Sequence, residues 1–163
     1  MQYKVAAGLL VLLSACAPVK DVAMTNEQLS INAKCRGNDR CLFEGADIFL
    51  DITITNVGTT EVGLPLAFLQ QTGPVIRLTD TRTKAETDLK TNLADLSLRD
   101  QYTSIPAGKS VAMEWVITAG ELQQFGAKDV DVSAEITIKT DVLVSGKKQE
   151  FSGSSTLHIK SKI

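Results

Sequence analysis

Between Ile48 and Thr55 every second residue is aliphatic: Ile48, Leu50, Ile52 and Ile54 alternate with Phe49, Asp51, Thr53 and Thr55. A period of two puts successive side chains on opposite faces of an extended chain, so this segment is a half-buried strand and cannot serve as an amphipathic helix. The same period returns twice. Val111, Met113, Trp115 and Ile117 alternate with Ala112, Glu114, Val116 and Thr118, and Val130, Val132, Ala134, Ile136 and Ile138 alternate with Asp131, Ser133, Glu135, Thr137 and Lys139. Weaker strands are expected at Glu27 to Ala33, Val75 to Thr79 and Glu150 to Lys160, the last with Phe151, Leu157 and Ile159 inward. Turn residues punctuate them: Asn56-Val57-Gly58, Gly73-Pro74, Ile105-Pro106-Ala107-Gly108 and Ser145-Gly146-Lys147-Lys148. Glu61 to Leu69 is apolar but interrupted by Gly63 and Pro65, which predicts an edge strand or irregular crossing. Thr87 to Asp100 reads as a long loop with short strand or helical turns, and Ala119 to Phe125 as one helical turn. Seven or so short strands with almost no helical period predict a two-sheet antiparallel sandwich of the immunoglobulin-like kind, with a small β-barrel as the alternative.

The N-terminus carries a different signal. Lys4, the apolar run Val5 to Leu13 and the small residues Ser14 and Ala15 have the layout of a secretory leader, and the run is too short to span a bilayer, which needs about 20 residues. Leu13-Ser14-Ala15-Cys16 resembles the lipobox of bacterial lipoproteins, in which the leader is removed and the cysteine acylated. The resemblance implies a signal peptide over 1–15, an acylated Cys16 with a tether over 16–26, and a β-sandwich domain over 27–163. Acyl chains contribute about 0.8 kcal/mol per buried methylene, so several of them on Cys16 would hold the domain at a membrane. Ala17 stands where an aspartate would signal retention in the inner membrane, so the resemblance implies the outer membrane, facing the periplasm. At about 3.5 Å per residue the tether reaches roughly 35 Å.

The 148 residues left after removal of 1–15 suffice for one domain. Loss of Lys4 leaves 16 basic and 19 acidic residues, interspersed, without a basic cluster or an aromatic platform; nucleic-acid binding is therefore not expected. Cys35 and Cys41 remain as an even pair, and Gly37 with Asn38-Asp39 supplies the turn that lets them meet, so a disulfide is expected. Zinc would need further ligands that no second cysteine pair or nearby histidine provides.

No catalytic pattern emerges. Gly108-Lys109-Ser110 lacks the glycine that a phosphate loop requires five positions before its second one, since Thr103 stands there. His158, the one histidine, falls at an outward position of the last strand, and no Gly-x-Ser-x-Gly elbow accompanies it. Asp39, Glu44 and Asp47 lack calcium-loop spacing and read as a solvated rim. Neither an enzymatic role nor a cofactor is expected.

Asp47 to Thr118 resembles the small immunoglobulin-like domains found as stand-alone bacterial proteinase inhibitors and in front of some secreted zinc peptidases. The likeness is carried by Ile52-Thr53-Ile54-Thr55-Asn56-Val57-Gly58 and by Ile105-Pro106-Ala107-Gly108-Lys109-Ser110 leading into the strand of Trp115, and covers less than half the chain. Those domains more often have Pro-Gly-Glu where this chain has Pro-Ala-Gly-Lys, and no His-Glu-x-x-His helix accompanies it. The expected function is a non-enzymatic binding or assembly module of the cell envelope with a protein partner; the alternative is a membrane-presented proteinase inhibitor. Expected partner loops are the disulfide ring, through Arg36, Asn38, Asp39 and Arg40, and the segment Thr87 to Ser104, while Trp115 is expected in the core between the sheets.

Overall fold

A computed structural model describes residues 28–126 and 129–162. The leader, Cys16, the tether and Glu27 lie outside the described residues. In chain order the elements are β1 (Leu29–Cys35), β2 (Leu42–Phe43), β3 (Ile48–Asn56), β4 (Val62–Leu64), α1 (Leu66–Thr72), β5 (Val75–Asp80), β6 (Glu86–Asp88), a 3-10 turn (Leu96–Asp100), β7 (Thr103–Ile105), β8 (Ser110–Ile117), α2 (Ala119–Gln123), β9 (Asp131–Val144) and β10 (Lys147–Ser161).

Two sheets face each other and neither closes into a barrel. The first is β1-β3-β8, antiparallel throughout. The second contains β2-β10-β9-β4-β7, with β5 and β6 carried on the same edge of β9 as β4. Taking the longer strands in sequence, the first, second and fourth (β1, β3, β8) form one layer, while β5, β9 and β10 form the other, the immunoglobulin-like arrangement. One pairing departs from the expected antiparallel pattern: Leu42 and Phe43 of β2 run parallel to Lys160 and Ser161 of β10.

The alternation read from sequence sets the packing. Leu50, Ile52 and Ile54 of β3 are fully buried in one apolar cluster with Val132, Ala134, Ile136 and Ile138 of β9 and Phe151 and Ile159 of β10. β9 and β10 form a hairpin paired from Asp131↔Lys160 to Val144↔Lys147, closed by Ser145 and Gly146, both at positive φ, as a two-residue turn matched to strand twist requires.

Glu61 to Leu69 differs from its expectation. β4 is not an edge strand, since it pairs with β7 on one side and β9 on the other. After Pro65 the chain turns into α1, which buries Leu69 and ends at Gly73, whose N–H donates to the Leu69 carbonyl at 2.8 Å. β4 and β5 therefore share one edge of β9, with α1 joining them.

Candidate functional site: a cleft beside an open sheet edge

β8 is an edge strand, and its hydrogen-bond parity fixes which of its backbone groups are in use. The Asn56 N–H donates to the Lys109 carbonyl at 2.9 Å and the Gly108 N–H to the Asn56 carbonyl at 2.8 Å. Counting on from there by twos, Val111, Met113, Trp115 and Ile117 bond to β3, and the N–H and C=O groups of Ala112, Glu114 and Val116 point away from it. Among the described residues no strand takes up that row. The opposite edge of the same sheet is treated differently: there the Ala33 N–H donates to Ser155 Oγ of β10 at 3.1 Å, and β1 packs alongside β10.

A cleft of about 400 Å³, in the range of ligand-binding pockets, lies beside the C-terminal half of the open edge, from Glu114 onward. Glu114, Trp115, Val116 and Thr118 form one wall together with Phe49 and Glu121, and Lys90 and Asn92 form the other. The far wall is anchored by backbone bonds, Leu89 N–H to the Ile76 carbonyl (2.8 Å) and Asn92 N–H to the Thr72 carbonyl (2.9 Å). The near wall is braced by a capping box in which Thr118 and Glu121 bond each other reciprocally and by Asp47 Oδ1, which accepts from the Ala119 N–H at 2.7 Å.

Trp115 departs from its expected place. Its parity is as expected, opposite Leu50 and on the inward face, yet the indole is only partly buried. The reason is position: on an edge strand the inward face opens sideways, so the ring reaches the rim of the core and lines the cleft. Gly73 lies flat against it, and a Cβ there would fall 2.1 Å from the indole Cζ2. Outside the ring, Phe49 sits opposite Val116 on the outer face and is 53% exposed. Phe49 also lines a smaller depression of about 190 Å³ at the disulfide ring, together with Arg36 and Asn38.

Cys35 and Cys41 form the expected disulfide, with Cα atoms 5.4 Å apart, and both are buried. The four ring residues then separate into two pairs. Asp51 and Glu114 stand directly opposite each other on β3 and β8, an unfavourable like-charge pairing. The Arg36 guanidinium lies between them, its Nε 2.9 Å from Asp51 Oδ1 and its Nη2 2.6 Å from Glu114 Oε1; these bonds, Asp51's first, raise its pKa further above its usual range. Asn38 Nδ2 donates to the Leu42 carbonyl at 2.8 Å, bracing the ring from within. Asp39 and Arg40 are exposed. In the segment from Thr87 to Ser104, Leu93 and Leu96 stand out as exposed apolar side chains.

His158 faces solvent as expected, with Nε2 2.6 Å from Asp131 Oδ1, and this bond is the largest cause of a lowered Asp131 pKa. Of the acidic rim, Glu44 pairs with Lys162 at 2.9 Å and Asp47 caps α2. Among the described residues no group of three or more His, Cys, Asp or Glu side chains is placed to hold a metal ion, and no helix is long and apolar enough to cross a membrane.

Sequence reasoning did not single out Phe49, Lys90, Asn92 or Glu121. Phe49 had left one trace, an aromatic residue at an outward position of a strand whose other outward residues are polar. Lys90 and Asn92 fall within the expected partner segment Thr87 to Ser104, but nothing set them apart inside it, because which part of that segment lines the cleft is decided by tertiary contact.

No family model matches the chain, and no curated protein matches it. Among solved structures it is similar to the X-ray structure of a Northeast Structural Genomics Consortium target, with 8% identity over 83% of this chain and 88% of that one and a TM-score of 0.45. It is also similar to a crystal structure of a protein from Archaeoglobus fulgidus, with 8% identity over 82% of this chain and 97% of that one and a TM-score of 0.38.

Proposed function

We propose that this chain is a lipid-anchored periplasmic binding or assembly module, non-enzymatic, held to the outer membrane through Cys16 and engaging a protein partner of the envelope. The observation that carries the binding role is the cleft beside β8, where an unpaired strand edge, a partly exposed Trp115 and an exposed Phe49 adjoin. The anchoring part rests on Leu13-Ser14-Ala15-Cys16. The test is affinity capture of tagged full-length chain from detergent-solubilised membranes of cells that make it, with Phe49→Asp in parallel. A discrete envelope protein retained by wild type and lost from Phe49→Asp is the expected result; identical captures from both would rule out the cleft as the contact. Cys16→Ala should move the protein from the membrane to the soluble fraction, and palmitate labelling that survives this change would sink the anchor.

A second reading, a proteinase inhibitor, is favoured by one observation: the disulfide ring presents Arg40 and Asp39 outward while Arg36 and Asn38 brace it, so a stiff loop would enter a protease cleft at low entropy cost. Inhibition of a protease that cleaves after basic residues, abolished by Arg40→Ala, would support it over the first.

A further inference from the structure

We infer that the partner is captured as an added β-strand: an extended peptide segment of alternating basic and apolar residues pairs with the open edge of β8 inside the cleft. The inference rests on the binding role proposed above and names what is bound. Among the described residues the backbone donors and acceptors of Ala112, Glu114 and Val116 form an unused row, matched in spacing by another extended backbone, the mode known as β-augmentation. Charge and parity then constrain the side chains. Residues of an added strand that share the outer face meet Glu114, which is 73% exposed despite its bond to Arg36, and approach Glu121. Basic side chains suit that face. The intervening residues point inward and cover the open side of the Trp115 indole, which suits apolar ones. A second copy of this chain fits poorly, because antiparallel self-pairing about the middle of β8 sets Glu114 against its own counterpart.

The parity also supplies the test. Proline is tolerated on an edge strand where its missing N–H would face solvent. Val116→Pro should therefore fold like wild type, with Val116→Ala as the side-chain control. The probe is a synthetic hexapeptide, Thr-Lys-Val-Lys-Val-Thr, capped at both ends, with a version N-methylated at alternate residues and a version with glutamate for lysine. Titration into isotopically labelled protein should shift the amide resonances of Ala112, Glu114 and Val116, slow their hydrogen exchange, and change Trp115 fluorescence. At least a tenfold weakening is expected with the N-methylated and glutamate peptides, and Val116→Pro should bind at least tenfold more weakly than Val116→Ala, which reports the share of the side chain alone. Binding that ignores N-methylation and Val116→Pro but needs Trp115 would overturn strand addition while leaving the binding role intact. No perturbation of β8 at millimolar peptide, or a dimer of the free protein paired through β8, would overturn the inference as well.

Discussion

Asn56 closes more of the interior than its size indicates. Its side chain has no solvent exposure, and its amide donates to the carbonyls of Thr60 (2.8 Å) and Ile105 (2.7 Å) while its oxygen accepts from the Gly58 N–H at 3.0 Å. Asn56→Ala strands the buried Ile105 carbonyl and removes two part-buried bonds, while the Gly58 N–H keeps the Gln28 carbonyl as a partner, so urea denaturation should show a loss of about 1 to 3 kcal/mol. The sequence marks Asn56 as a turn residue, but asparagine is usually exposed, and its burial depends on β7 arriving from the other sheet. Asp80 acts through charge. It is 3% exposed, and its Oδ1 accepts from the N–H groups of Thr83 (2.7 Å) and Arg82 (2.8 Å), bonds that lower its pKa, Thr83's foremost. A carboxylate with a lowered folded pKa stabilises the protein fully above its ordinary value of 3.8, and that contribution disappears as pH falls through the lowered value. Melting temperature should therefore fall in acid below about pH 4, and Asp80→Asn should flatten part of that fall. An unchanged acid slope in the variant would refute the assignment.

At the scale of elements, α1 depends on how it ends. Gly73 has φ 76° and ψ 172°, a conformation essentially reserved for glycine, and it abuts the indole of Trp115. Gly73→Ala combines backbone strain with overpacking and should cost about 2 to 4 kcal/mol in denaturant melts, with a shift in Trp115 fluorescence because the ring must move. Trp115→Ala should cost about 2 to 3 kcal/mol, below the usual large-to-small penalty, since part of the ring is already at the surface. The Cys35–Cys41 ring is short, and replacing both cysteines with serine should cost about 2 kcal/mol by chain entropy. Strand parity was legible wherever one face is buried, as in β1, β3, β8 and β9. Helix α1 was not, because seven residues show too little period and Gly63 with Pro65 reads as a broken strand. Its one signal was the proline before its first turn and the glycine after its last.

For the whole molecule, the sandwich followed from the number and spacing of strands, and the disulfide from its ring. Which strand has an open side did not follow, since edges are set by pairings between segments far apart in the chain. The cleft belongs to that second class: Phe49 and Trp115 come from β3 and β8, and Lys90 from the strap after β6. The central claim, that this cleft is where the protein meets its partner, is tested most directly by site-specific photo-crosslinking in intact cells. A photoreactive residue replaces Phe49, Val116 or, as the control, Val75, which is exposed on β5 in the other sheet. A discrete crosslinked species of defined mass from positions 49 and 116, and none from 75, is the predicted result. Equal crosslinking from all three positions, or crosslinks from 75 alone, would contradict it.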